Sequence, residues 1–225
     1  MSSPANLTYF RGWGLAEQIR WMLAVAPETS SFTQTALETR EAFLSLRDSS
    51  LQYNQLPLLE IDGLKLVQSG ACVRYLASRA KIAGNGPAAA ARVDMACCAI
   101  GDARLGVVKW PFSPDKRVHL DTFVQPLVNK WFPLLEDQAV ASSTSWLCDT
   151  PEFTAADVLL AEATIAYEEM GVELSTYTKV QEIKGRVMKM DGIKVYLESE
   201  LRFPFPREGD ICDAYVANVN TVLGR

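Results

Sequence analysis

Two short stretches carry side chains whose type and spacing could do chemistry. Tyr9 lies near the end of the apolar run "LTYF", which is followed by the glycine-broken turn "RGWG" and then by an amphipathic helical pattern. In open α/β sheets the carboxyl end of a strand is where ligands bind, and a phenol presented there can donate a hydrogen bond to a charged atom and favour its ionised form. From "LTYF" alone, the plainer reading is a buried strand tyrosine with a satisfied hydroxyl. Gln68 and Ser69 stand where an apolar strand gives way to the helical run "GACVRYLASRA". Ser69 suits the N-cap, and the free N–H groups and positive dipole end of a helix start favour an anion. An ordinary cap accounts for Ser69 equally well, and one serine can do both.

Other chemistries find little support. His119 is the only histidine among 225 residues, so a His-based metal cluster is not expected and a Cys–His or Ser–His nucleophile could use only that ring. The five cysteines, Cys72, Cys97, Cys98, Cys148 and Cys212, are odd in number and contain no C-x-x-C. Cys97 and Cys98 would point about 100° apart on a helix and read as buried small apolar residues rather than a redox pair. The net charge of −5 argues against nucleic acid or an anionic membrane as partner. No apolar run approaches the ~20 residues that span a bilayer, and "MSSPANL" lacks the basic and apolar regions of a signal peptide. The expected compartment is reducing and cytoplasmic.

The elements that must position Tyr9 and Ser69 alternate from Leu7 to Arg79. "LTYF" and "SSFTQTAL" read as strands, "GLAEQIRWMLAVAP" and "REAFLSLRDS" as helices. "PLLEIDGLKLVQS" reads as two strands joined at Asp62-Gly63, a dipeptide suited to a tight hairpin. Residues 81–88 form a Gly/Pro-punctuated linker. Beyond it nearly everything is helical: one long Ala-rich helix through "AAAARVDMACCAIGDARLGVVKW", another interrupted at Pro126 and Pro133, and "TAADVLLAEATIAYEEM" opening on the capping pair Thr154 and Asp157. The expected architecture is α/β plus all-α, with a domain of residues 1–82 followed by a helical domain of residues 83–225.

In their order and spacing, "LTYFRGWGLAEQIRW", "NQLPLLEIDGLKLVQS", "NKWFP" and "FTAADVLLAEATIAYEEM" resemble the cytosolic glutathione transferases over nearly the whole chain. The likeness is nearest to the alpha and sigma members of the alpha-mu-pi-sigma group. It implies a thioredoxin-like βαβαββα domain that binds glutathione, a C-terminal helical bundle and a homodimer. It also implies glutathione as co-substrate, with no bound cofactor and no metal. Tyr9 would act on the glutathione sulfur: a free thiol with a pKa near 8.5 is only ~3% thiolate at neutral pH, and a donated phenol raises that fraction. Pro57 would be a cis-proline that turns Leu56 toward the cysteinyl backbone. Gln68 and Ser69 would take the γ-glutamyl carboxylate, Gln55 the peptide, and Arg47 the glycyl carboxylate. Asp102 would reach across the dimer to the γ-glutamyl ammonium, Lys130 would assist from the partner, and Tyr53 would be the aromatic interface key.

The sequence also departs from that pattern. Arginines usual in the turn are replaced by Trp13 and Leu15, leaving Arg11 as the only nearby cation. Phe10, Trp13, Val108 and Phe112 are the candidates for a hydrophobic second-substrate pocket. The tail from Phe203 onward does not match the alpha-class terminal helix, although it could cover the pocket. The activity implied is conjugation of the glutathione thiolate to hydrophobic electrophiles in detoxification. Isomerisation or peroxide reduction with bound glutathione is the first alternative, and a non-enzymatic carrier or structural protein the second.

Overall fold

The computed structural model describes residues 4–225. Its first half runs β1 (Asn6–Phe10), α1 (Glu17–Val25), β2 (Thr33–Leu37), α2 (Arg40–Ser50), β3 (Leu58–Ile61), β4 (Leu64–Val67) and α3 (Ser69–Arg79). This is the expected thioredoxin-like order. The mixed sheet is ordered β2-β1-β3-β4, with β1 parallel to β2 and antiparallel to β3. As an inner strand, β1 is buried from Leu7 to Phe10, which is why "LTYF" is apolar without strict alternation. Asp62 and Gly63 both take positive φ, 51° and 77°, in the tight turn joining β3 to β4. The Asp62 carboxylate accepts from Tyr75 at 2.7 Å and Arg79 at 2.8 Å, fixing α3 to that turn.

The second half comprises α4 (Gly86–Ala103), α5 (Leu105–Lys109), α6 (Lys116–His119), α7 (Gln125–Ala141), α8 (Ala155–Met170), α9 (Thr178–Val187), α10 (Asp191–Leu197) and α11 (Asp210–Leu223). Helix α8 is apolar and buried on nearly every side, and it packs on α1, α4 and α9. Its start is fastened by Asp157, which accepts from the Thr154 N–H at 2.7 Å, the Thr154 hydroxyl at 2.9 Å and the Leu147 N–H at 2.8 Å. Its end closes on Gly171 at φ 99°. The halves meet around the buried Glu17, whose carboxylate takes Arg20 at 3.0 Å, the Trp21 indole at 3.1 Å and the Tyr196 hydroxyl of α10 at 2.7 Å. Burial and the Glu17 charge push the Tyr196 phenol far above its ordinary value.

Several expectations are corrected. The linker is shorter, because α4 already begins at Gly86 with Pro87 in its first turn, where a missing N–H is harmless. The long Ala-rich helix breaks at Arg104. Pro126 starts α7 rather than interrupting it, after a π-helical turn over Leu120–Val124, while Pro133 does lie inside α7. Cys98 is exposed rather than buried. The tail forms the well-made helix α11, which packs on α2 and β1.

Candidate active site

Tyr9, the penultimate residue of β1, pairs with Ala36 of β2, and the turn that follows the strand folds back over its ring. The Tyr9 oxygen accepts the Leu15 N–H at 3.1 Å. The Tyr215 hydroxyl of α11 is its close neighbour, and the pairing pulls the Tyr9 pKa down and pushes that of Tyr215 up. Both phenol oxygens lie 2.5 Å from the point where a Cβ on Gly14 would sit, and Gly14 holds φ 45°. Only glycine fits this position. Burial, the largest influence, pushes the Tyr9 phenol above its ordinary value, against the pull of Leu15, Tyr215, Arg20 and Arg104. Tyr9 is therefore a neutral donor at physiological pH. With its oxygen accepting from Leu15, its own hydroxyl proton can be donated to a ligand.

The turn carries more positive charge than its sequence suggests. Arg20 of α1 reaches back to donate to the Gly12 carbonyl at 3.0 Å and the Trp13 carbonyl at 3.2 Å. Arg104, at the α4–α5 junction, approaches the Gly14 carbonyl at 3.4 Å and lies 4.8 Å from the Trp13 ring. Its guanidinium is held by both oxygens of Glu162 at 2.7 Å. Burial pushes the Glu162 carboxyl up to about 7, with Arg104 pulling against it. Arg11 instead faces outward and pairs with Glu38 at 2.9 Å. The expectation that Arg11 is the only cation near Tyr9 is thus overturned, because the buried cations come from a helix turn away and from the other half of the chain.

Next to this turn lies a cleft of about 190 Å³ between α1 and α3 on one side and α4 and α5 on the other, lined in part by Leu15, Ser69, Gly70, Arg104 and Val108. The N-cap of α3 is Gln68, at φ 67° and ψ 107°, and not Ser69, which is the first helical residue and half-buried. Non-glycine residues in sparsely populated conformations cluster at ligand sites and switch regions. Gln68 Nε2 donates to Gln55 Oε1 at 2.8 Å. The Leu56–Pro57 bond is cis, with Pro57 buried and Leu56 half-buried at the start of β3. Tyr9, Leu56 and Ser69 are thus set on three neighbouring elements, as a small peptide with a thiol and an anionic end requires. Residues 5–78 match the model of the glutathione S-transferase N-terminal domain, and residues 101–200 that of the C-terminal domain.

The chain belongs to the glutathione S-transferase family. It is 32% identical to glutathione S-transferase alpha-4 of Rattus norvegicus and 31% identical to glutathione S-transferase A4 of Mus musculus, each over 99% of both chains. A solved Caenorhabditis elegans glutathione S-transferase superposes with a TM-score of 0.73 at 29% identity, over 88% of this chain and 98% of that one. The Ascaris lumbricoides enzyme does so at 0.75 and 25%, over 90% and 100%.

The remaining candidates of this glutathione transferase are placed unequally. Of the four residues expected to line a hydrophobic pocket, Val108 lines the cleft and Phe112 is exposed, 5.8 Å from the Tyr215 ring. Phe10 and Trp13 are core residues instead: Phe10 packs at 4.9 Å on Tyr9, and Trp13 is covered by Arg104 and by Phe205 at 5.4 Å. Helix α11 occupies that side, its Tyr215 ring so close to Gly12 that a Cβ there would meet it at 2.2 Å. Arg47 is engaged by Asp48 at 2.7 Å on the surface of α2. Asp102 is exposed on α4, one residue past the cleft-lining Gly101. Tyr53 is 58% exposed on the loop before β3. Lys130 lies over its neighbour Trp131 at 4.2 Å.

His119 is stacked between Trp110 and Phe123, at 6.0 and 5.1 Å, far along the chain from the turn. Among the described residues no group of three His, Cys, Asp or Glu side chains could hold a metal ion, and no helix is long and apolar enough to cross a membrane. Sequence reasoning missed Arg20, Arg104, Glu162 and Tyr215. The charged residues within apolar runs, such as Glu162 in "VLLAEATIAY", were the available signal, since a buried charge implies a partner.

Proposed function

We propose that this glutathione transferase binds reduced glutathione along Leu56, Gln68 and Ser69 and adds its thiolate to hydrophobic electrophiles, a detoxifying conjugation carried out in the cytoplasm. The observation that carries the reading is the Tyr9 hydroxyl, whose oxygen accepts from Leu15, a residue that lines the cleft together with Ser69. The N–H and C=O of Leu56 pair with the cysteinyl backbone like an added strand. Gln68, Ser69 and the start of α3 take the γ-glutamyl carboxylate, Gln55 orients Gln68, and Arg47 turns to the glycyl carboxylate. Tyr9 donates to sulfur, the thiol proton leaves to solvent, and the sulfur lone pair forms the new bond to the electrophilic carbon as that carbon's π pair moves onto its neighbour or a leaving group departs with its bonding pair. Val108 and Phe112 present apolar surface to that second substrate. Glutathione enters as co-substrate, with no bound cofactor.

The glutathione site is tested by calorimetry on Gln68→Ala and Ser69→Ala. Each is expected to weaken glutathione binding several-fold while slowing saturated turnover less, because these contacts are alike in ground and transition states. Unaltered affinity in both would place the anion elsewhere.

The working form is a homodimer, with residues 1–82 and 83–225 as its domains. Its interface key is Tyr53, and Asp102 completes the partner's glutathione site. A large aromatic exposed on a loop is a common interface anchor, and Tyr53→Ala is expected to shift the protein toward monomer in sedimentation at low concentration. A dimer of undiminished stability would remove Tyr53 from the contact.

A further inference from the structure

We propose that Arg104 adds to the positive charge that Arg20 brings to the Tyr9 turn, acting on the bound thiol from the helical half of the chain, and that Glu162 sets how much of the Arg104 charge reaches the sulfur. Because Arg104 works through the field at the thiol and through the turn it holds, it is a positioning residue. The inference rests on the reading of Tyr9 as the thiol's hydrogen-bond donor.

Three observations carry it. Arg104 is among the residues that line the same cleft as Leu15 and Ser69, whereas Glu162 is not. It also touches the turn at two points, the Gly14 carbonyl and the Trp13 ring, and Gly14 is the residue whose missing Cβ makes room for the Tyr9 hydroxyl. Finally, its side chain is 2% exposed and that of Glu162 1%, so their charges are little screened by water and act over longer distances than surface charges do.

A buried ion pair that only braced two helices could be replaced by well-packed apolar side chains without loss of stability. Bracing gives no reason for the arginine to line the cleft and reach the Gly14 carbonyl and the Trp13 ring while the carboxylate on α8 touches neither. Placed that way, the pair is a dipole with its positive end toward Tyr9. It does from the helical half what an arginine at Trp13 or Leu15 would do from the turn.

The two members of the pair therefore have opposite effects on the sulfur, which a mere brace does not. The test is a pH titration of thiolate absorbance with saturating reduced glutathione bound to the whole protein. Wild type is compared with Arg104→Gln, Arg104→Lys and Glu162→Gln, with melting temperature and glutathione affinity measured on each. Arg104→Gln is expected to raise the bound thiol's pKa by about one unit, roughly a tenfold loss of thiolate well below that pKa. Arg104→Lys should keep it near wild type, and Glu162→Gln should lower it, although every variant melts earlier.

Equal shifts in one direction, or no shift in Arg104→Gln or Glu162→Gln, would overturn the proposal and leave the pair as a brace. If Arg104→Gln does not fold, Glu162→Gln decides alone: a pKa that does not fall overturns it. Titrating Tyr9→Phe alongside separates the two readings. An unchanged thiol pKa there sinks the role of Tyr9, whereas the Arg104 and Glu162 shifts are judged against wild type in either case.

Discussion

Tyr9→Phe is expected to lower conjugation turnover at saturating glutathione by on the order of 10²–10³, the upper range for losing one donor aimed at developing charge. Glutathione affinity should stay nearly constant, because the hydroxyl acts on sulfur and not on the carboxylates. Burial holds the Tyr9 phenol above its ordinary value, so it remains protonated throughout the working range. A rise of rate with pH would therefore report ionisation of the bound thiol, and the variant should move that limb to higher pH. The Leu15 N–H loses its acceptor in the variant, so a fall in melting temperature is expected as well. Steady-state kinetics and calorimetry on one preparation check both halves, and unchanged turnover would reject the assignment.

Gly14→Ala is expected to disable the same site without touching any group that does chemistry. The new methyl would lie 2.5 Å from both the Tyr9 and Tyr215 oxygens and 2.8 Å from the Tyr9 ring, on a backbone at φ 45°. Something must move, and the phenols are the nearest parts able to do so. A displacement of about 1 Å at a reacting geometry is enough for a 10²-fold loss of rate, while the backbone conformation costs alanine on the order of 1–3 kcal/mol. Turnover and thermal unfolding should fall together. Full turnover with only a lowered melting temperature would mean that the Tyr9 hydroxyl need not occupy its present place.

What could be read from the chain was what local residue chemistry determines. Asp62-Gly63 signalled its hairpin because few dipeptides accept two successive positive φ values, and Thr154 with Asp157 signalled the start of α8 because the cap spacing is written within four residues. Tyr9 stood out by its position at a strand end, and its weight came from the family resemblance. Gln68 was misread, with Ser69 taken for the cap, because glutamine does not announce a φ of 67° as glycine or asparagine would. Cys98 was misplaced because helical spacing leaves the outward face of α4 ambiguous.

Arg104 and Tyr215 escaped for a different reason. They reach the turn from the α4–α5 junction and from α11, and no local pattern encodes a contact across so much chain. The cation sought in the turn was present, but on another element.

The Glu17 cluster has a consequence for recombining such proteins. Glu17, Arg20 and Trp21 are contributed by α1, whereas Tyr196, which closes the cluster, comes from α10. A chimera joining the first half of this chain to the helical half of a relative with no matching hydroxyl would leave a buried carboxylate one donor short. Buried charges tolerate that poorly. The two halves are therefore not interchangeable modules, and a viable crossover must carry the Glu17 and Tyr196 positions together from one parent.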